Sequence, residues 1–305
     1  MANIVQPDVD GVRQVVDALR RGDIVGLPTE TVYGLAGSIT SDAALRKIFA
    51  VKGRPADHPL IVHIARIEEM DSLVDDVPPS ARLLAESCWP GPLTIIVRAS
   101  RQLSRVVTGG RDTVAVRFPA HLVAQTVIQQ LGSPVAAPSA NRFGHVSPTT
   151  AQHVVADLGS TIEWVLDGGP CAIGVESTIV DCTSDEPQIL RPGSITSDDI
   201  ANILASERIA VATQITGPSR ASGMLERHYA PMATLVLHEP GVEFDAAGAP
   251  VLDCATDPIR AAHGLYAQLR TYDEAGHPVV HVVLPRAQGI GFALRDRLTK
   301  AASSA

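Results

Sequence analysis

Aromatic residues are scarce: Phe, Trp and Tyr make up 4% of the 305 residues, so the chain lacks the stacking array that proteins use to hold unpaired nucleic-acid bases. Only four cysteines are present, Cys88, Cys171, Cys182 and Cys254, far apart and without a CxxC pair. That spacing excludes a zinc knuckle and a disulfide framework, and leaves them as reduced, mostly buried small hydrophobes. No stretch approaches the roughly 18 uninterrupted apolar residues of a membrane span, and Met1–Arg13 has no basic start followed by an apolar run. The expectation is a soluble, cytoplasmic protein with no membrane partner. A GxxxxGK[ST] loop, a convincing GxGxxG between strand and helix, a GxSxG elbow and an HExxH pair are all missing, which removes the common NTPase, dinucleotide, hydrolase and protein-held zinc readings. Positive charge is also short. With a formal net charge of -8, the surface as a whole does not suit a nucleic-acid grip, and any polyanion must meet a local cationic pocket.

What is present is apolar residue in quantity, 45% by composition, enough to bury a sizeable core at this length. Apolar residues at helical spacing predict a helix over Val9–Arg21, and Ile24–Pro28 reads as a short buried strand that delivers the chain into Thr29. Ser41 and Asp42 can cap a helix running to about Val51, with Lys52 and Arg54 where it ends. Short apolar runs follow at 60–64, 93–97, 114–116, 135–137, 165–166 and 178–180, separated by helical or turn-rich spacers. This is the pattern of a mixed α/β domain whose cleft is lined by polar and glycine-rich joints. Periodicity weakens after Ser206, where Gly217, Pro218, Ser219, Ser222 and Gly223 make a plausible linker. A second unit then alternates strands at 234–237, 250–254 and 279–284 with helices at 260–269 and 290–301. The division is residues 1–205, a linker and possible lid at 206–232, and a small C-terminal α/β domain at 233–305.

The chemistry-bearing residues cluster in Pro28-Thr29-Glu30-Thr31-Val32-Tyr33-Gly34, Lys52-Gly53-Arg54-Pro55 and His58-Pro59-Leu60-Ile61-Val62-His63. Later pieces are Asp112-Thr113 through Arg117, Pro138-Ser139-Ala140-Asn141, Glu176-Ser177-Thr178 and Leu190-Arg191-Pro192-Gly193. Lys52 and Arg54 could be solvated cations favoured by a helix C-terminus, or a phosphate clamp in which a compact ammonium and a planar guanidinium fork balance a triphosphate. Arg117 and Arg191, each following an apolar strand, could complete the clamp. Both Lys52 and Arg54 are expected in exposed loop geometry. Ser139, Asn141, Ser147 and Ser177 could satisfy their own turns, or supply neutral hydrogen bonds to phosphate and ribose oxygens. His63 lies within an apolar strand, where a lone histidine is more often a core or half-buried residue than a catalytic base, while His58 sits on a loop; their spacing matches no metal motif. Magnesium would arrive with a nucleotide.

Taken in order, these pieces resemble the YrdC-like family, specifically the longer threonylcarbamoyl-AMP synthases with a linker and a C-terminal domain. The resemblance runs almost continuously from Val9 to Leu204. It includes the paired signatures KxR at Lys52-Gly53-Arg54 and SxN at Ser139-Ala140-Asn141, the linker motif from Ser222 to Pro231, and the tail from Gly289 to Leu298. It implies a twisted mixed sheet with helices and a concave positive face, followed by a small Rossmann-like domain. The implied reaction joins L-threonine, bicarbonate or carbon dioxide, and ATP, with no protein nucleophile. The product would serve a downstream tRNA threonylcarbamoyl transferase machinery, with tRNA itself met indirectly or weakly. By the same resemblance, Thr29, His63, Arg117, Ala137 and Ser177 line the threonine side. Lys52, Arg54, His58, Thr113, Ser139, Asn141, Ser147, Arg191 and His228 fall on the ATP side, with Lys52 and Arg54 catalytic. His58 stands where many relatives carry asparagine, and Glu226 is unexpected in the linker motif. Two rivals are an RNA-binding module and a carbamoyl transferase of hydrogenase maturation; the acidity and aromatic scarcity oppose the first, and the cysteine pattern opposes the second.

Overall fold

The structure is a computed structural model that describes residues 1–211 and 228–303. The Ser222 end of the linker motif and Glu226 therefore lie outside the described residues. In chain order the first lobe contains β1 (Asn3–Val5), α1 (Val9–Arg20), β2 (Val25–Leu27), β3 (Gly34–Ser38), α2 (Asp42–Lys52) and β4 (Ile61–His63). A 3₁₀ turn at Ile67–Ser72 leads to α3 (Pro79–Cys88), β5 (Leu93–Arg98), α4 (Arg105–Thr108), β6 (Thr113–Arg117), α5 (Leu122–Leu131) and β7 (Val135–Ala136). The lobe closes with α6 (Ala151–Leu158), β8 (Trp164–Leu166), β9 (Thr178–Asp181), β10 (Gln188–Arg191) and α7 (Ser197–Ala205). The second lobe holds β11 (Thr234–His238), β12 (Val251–Asp253), α8 (Pro258–Glu274), β13 (Val279–Val283) and α9 (Gly291–Ala302). Among the described residues no helix is long and apolar enough to cross a membrane.

The first lobe is built on one mixed sheet, ordered β1-β8-β2-β3-β7-β4-β6-β5-β9-β10. Parallel pairs such as β4 with β6 alternate with antiparallel ones such as β3 with β7. Helices cover it because each is amphipathic: α1 turns Val12, Val15, Val16 and Leu19 into the core, and its N-terminal amides are capped by Asp8, whose carboxylate accepts from Gly11 N–H at 2.8 Å. The three strands of the second lobe are all parallel, ordered β11-β13-β12, with α8 crossing between β12 and β13.

The two lobes share a core. Val32, Val146 and Val175 of the first pack in one buried cluster with Tyr229, Leu265, Tyr266, Leu269 and Leu298 of the second. At about 1.5 to 3 kcal/mol per fully buried large apolar side chain, this seam resists separation of the lobes. It is reinforced at its edge by Arg270 on α8, whose guanidinium meets the Asp157 carboxylate at 2.7 Å.

Candidate active site

The strands end where the polar joints begin, so the joints are carried on a rigid frame. β4 and β6 run parallel with His63 level with Arg117, and β7 pairs with β4 on the other side. The chain leaving β2 forms the Thr29–Val32 turn, in which the Thr29 hydroxyl donates to the Val32 carbonyl at 2.6 Å and lies 2.9 Å from the Thr31 hydroxyl. Gly34 opens β3 against Ser139 and Ala137; a Cβ there would stand 3.0 Å from the Ala137 methyl, so a larger residue would push the two segments apart. Between these joints lies a cleft whose walls include Thr29, Thr31, Arg54, His63, Arg117, Ala137, Ser139, Ser177, Arg191 and His228.

Among the described residues, three guanidiniums, Arg54, Arg117 and Arg191, and one carboxylate, Glu176, line this cavity, a positive excess on a protein of net charge -8. Each arginine is held. Arg117 forms an ion pair with Glu30 at 2.7 Å and donates to the Thr31 hydroxyl at 2.8 Å. Burial alone would raise the Glu30 carboxyl, but the Arg117 guanidinium overrides it and holds the group below the usual range. Arg191 donates from Nε to the Ser177 carbonyl and from a terminal nitrogen to the Ser177 hydroxyl, both at 3.0 Å. Arg54 donates to the Pro59 carbonyl at 2.9 Å and lies 5.9 Å from the Phe143 ring centre. Burial lowers its pKa to about 10. His63, walled in beside Arg117, is pulled down to about 3 by burial first and by that guanidinium second, so it is neutral at pH 7. Its Nδ1 lies 3.1 Å from the Ile61 carbonyl, which can only accept, so Nδ1 carries the proton and Nε2 remains an acceptor.

Lys52 and Arg54 are not in exposed loop geometry; they are 4% and 7% exposed. The reason is local. Gly53 caps α2 in the left-handed region at φ 64°, which turns the chain sharply enough to bring Arg54 under the Pro59 carbonyl. The loop after β7 folds over the end of the helix, with Phe143 N–H donating to the Lys52 carbonyl at 2.8 Å. The Lys52 ammonium is enclosed by Ser139 O at 2.5 Å, Asn141 O at 2.6 Å and Asn141 Oδ1 at 3.3 Å. Burial and then Arg54 push its pKa well down, while three oxygen acceptors match the three donors of a protonated amine. The KxR and SxN signatures are thus one physical unit, with the lysine as a clasp on the serine–asparagine loop.

The remaining sequence candidates divide. Thr29, Arg54, His63, Arg117, Ala137, Ser139, Ser177, Arg191 and His228 converge on the cavity. Lys52 and Asn141 stand directly behind its wall, and the Asn141 amide donates to the Arg142 and His145 carbonyls. His58 is half-buried at the margin, 5.5 Å from the Phe143 ring centre, with its pKa lowered by burial and by Arg54. Ser147 is fully buried and spends its hydroxyl on Glu176 Oε1 at 2.6 Å rather than on the cavity. Thr113 opens β6 opposite Arg98, four residues from Arg117, about 13 Å away along an extended strand.

Three residues carried no role from sequence: Thr31 and Glu176 line the cavity, and Glu30 backs Arg117. Their signal was proximity, since each adjoins a residue that was assigned. Tyr229 is 1% exposed at φ 63°, a conformation a bulky side chain rarely adopts and one that concentrates at functional sites. His228 N–H donates to the Lys300 carbonyl and Ala230 N–H to the Gly144 carbonyl, which stitches this segment between α9 and the loop after β7. The His228 ring stands edge-on to Phe143 at 6.0 Å, and burial pulls its pKa to about 3. The arrangement offers a cationic, partly enclosed cleft with neutral histidine and hydroxyl groups, suited to anionic groups.

Residues 17–193 match the Sua5/YciO/YrdC family model, described as telomere recombination, and residues 195–303 match the threonylcarbamoyl-AMP synthase C-terminal domain. The threonylcarbamoyl-AMP synthase of Pyrococcus abyssi is 38% identical over 95% of this chain and 93% of its own. That of Bacillus subtilis is 38% identical over 95% of this chain and 92% of its own. The crystal structure of P. abyssi Sua5 complexed with L-threonine superposes with a TM-score of 0.89 at 36% identity, covering 99% of this chain and 97% of that one.

Proposed function

From the premise that the chain belongs to the threonylcarbamoyl-AMP synthase family, matching its two domain models in sequence, we propose that it condenses L-threonine, bicarbonate or carbon dioxide, and ATP. The products are threonylcarbamoyl-adenylate and pyrophosphate, the former for the threonylcarbamoyladenosine modification of tRNA. The catalytic lobe is residues 1–205, the linker 206–232 and the C-terminal domain 233–305. The observation that carries the reading is the convergence of Arg54, Arg117 and Arg191 on one cavity with the small, polar Thr29, Ser139 and Ser177.

The neutral threonine amine adds to the carbon of carbon dioxide, supplied directly or by protonation and dehydration of bicarbonate, and gives up one proton to solvent, leaving a carbamate. A carbamate oxygen then attacks the α-phosphorus of ATP, and the bond to the bridging oxygen breaks to release pyrophosphate. No protein nucleophile takes part. Arg117 receives the threonine carboxylate, and its existing ion pair with Glu30 holds the guanidinium in place beforehand. Thr29, His63 and Ser177 orient the remaining polar atoms, and Ala137 meets the methyl group. Arg54 and Arg191 balance charge on the phosphates, with Ser139, Asn141, His58 and His228 around the nucleotide. Lys52 fixes the loop bearing Ser139 and Asn141 and adds its charge from behind. Ser147 and Thr113 act on the ATP side from outside the wall, Ser147 through its hydrogen bond to Glu176.

Magnesium enters as part of the substrate, Mg-ATP: Glu30 and Glu176, the carboxylates next to the cavity among the described residues, are committed to arginines, which suits an ion carried by phosphates. The tRNA step belongs to a downstream transferase. Enclosure protects the carbamate and the mixed anhydride from water. The test is pyrophosphate release from ATP in bicarbonate buffer with and without threonine. Release that depends on threonine and falls on the order of a hundredfold in Arg54→Ala supports the reading, and release indifferent to threonine overturns it.

A further inference from the structure

We propose that Arg297, in the last helix of the C-terminal domain, is a positioning residue for the ATP site: it bridges the two segments that carry Ser177 and Arg191. The proposal rests on the functional reading above. Arg297 is completely buried, and its three guanidinium nitrogens go to three partners. Nε donates to Glu176 Oε2 at 2.8 Å, one terminal nitrogen donates to the Pro192 carbonyl at 3.1 Å, and the other pairs with Asp296. Glu176 immediately precedes Ser177, and Pro192 immediately follows Arg191. One side chain from α9 therefore holds both segments at a fixed separation, while Arg191 itself reaches across to the Ser177 carbonyl and hydroxyl.

The rest of the network points the same way. Glu176 also accepts from the Tyr266 hydroxyl at 2.8 Å, from α8, and from the Ser147 hydroxyl at 2.6 Å. Burial would raise its carboxyl, but Arg297 first and Arg191 second hold it down at about 2, so it stays charged. The Arg297 guanidinium lies 5.1 Å from the centre of the Tyr229 ring, itself part of the cavity wall. Stability alone gives little reason for so much buried charge, since apolar residues of equal volume commonly serve as well. A planar fork that spans two backbone segments does have a geometric reason, and lysine cannot reproduce it. The C-terminal domain thereby becomes a structural part of the ATP site.

Arg297→Lys, in the full-length chain, keeps the charge but can reach only one of Glu176 and Pro192. Arg270→Ala removes the ion pair to Asp157 elsewhere on the same seam. Mg-ATP affinity by titration calorimetry and the KM for ATP separate positioning from simple adhesion of the lobes. Arg297→Lys is expected to weaken ATP at least tenfold and raise its KM similarly, while Arg270→Ala lowers the melting temperature and leaves ATP affinity within twofold. Should Arg297→Lys fail to fold, the double variant Arg297→Met with Glu176→Gln removes both charges together, and is read against Glu176→Gln alone with the same tenfold expectation. ATP affinity within twofold of its reference in a folded Arg297 variant overturns the proposal. So does a loss of the same size in Arg270→Ala. If the wild type binds ATP but forms no threonine-dependent product, the functional reading fails separately, and the affinities still decide the role of Arg297.

Discussion

Replacing Lys52 by methionine keeps the aliphatic stem and removes only the ammonium. In the structure that group donates to Ser139 O, Asn141 O and Asn141 Oδ1, and the side chain is buried. Bonds from a charged donor contribute about 1.5 kcal/mol each at the low end of their range, so three lost bonds cost roughly 4 to 5 kcal/mol. Relief from burying the charge returns part of this, which leaves a net destabilisation of about 2 to 4 kcal/mol. For a chain of this size that corresponds to a melting temperature lower by about 3 to 6 °C. The unclasped loop also displaces Ser139, so synthesis measured well below the melt falls on the order of a hundredfold. Circular dichroism melts beside a pyrophosphate-release assay report both quantities. A Lys52→Met protein that melts within about 1 °C of the parent and turns over within about twofold would refute the clasp and the charge role together.

Arg117→Ala raises the KM for threonine on the order of a hundredfold with a smaller effect on the KM for ATP, as initial rates at varied threonine show. Serine is a poor substrate and not a silent one, because one methyl against Ala137 and its neighbours contributes about 1 to 3 kcal/mol; equal kcat/KM for the two amino acids defeats that contact. His63 and His228 have folded pKa values of about 3 against about 6.5 unfolded, so protons favour the unfolded chain. Stability is then complete above about pH 6.5 and declines by up to about 1.4 kcal/mol per pH unit for each histidine as pH falls below it. Glu30 and Glu176, whose pKa values are depressed, withdraw their contribution only at lower pH, below the ordinary carboxylate range. Melts at pH 6.5 and 5.0 show a decline that His63→Gln reduces. A chain ending at residue 205 exposes Val32, Val146 and Val175 and leaves Glu176 without Arg297, so it melts lower and loses most synthesis.

The sequence made the frame legible wherever local pattern decides the outcome. The strand before Thr29, the helix capped by Ser41 and the alternation of the second lobe all appear within a few residues of their expected bounds. Less legible were β1, β3 and β10: β1 finds its partner in the distant β8, whereas β3 (GLAGS) and β10 (QILR) pair with the neighbouring β2 and β9 but are too short and too poor in alternating β-branched residues to read as strands. At the site, the cationic residues at strand ends were legible by type. Burial was not. Lys52 resembles a solvated helix-terminal lysine until the loop after β7 is seen to fold over it, a contact between residues nearly ninety positions apart. Glu30, Glu176 and Arg297 fall within quoted motifs but received no role, because their meaning is relational: each is defined by a charge partner on another element. Ser147 was legible as a polar loop residue, but the partner that claims its hydroxyl was not.

The most direct measurement is the fate of labelled carbon. Purified protein is incubated with ¹³C-bicarbonate, L-threonine, magnesium and ATP, and the nucleotide products are separated quickly and weighed by mass spectrometry. The predicted result is an adenylate heavier than AMP by one threonylcarbamoyl group, carrying a single ¹³C, formed together with pyrophosphate and absent when threonine is omitted. An adenylate of threonine alone, without the labelled carbon, or ATP cleaved without any threonine-dependent adenylate, would contradict the assigned reaction.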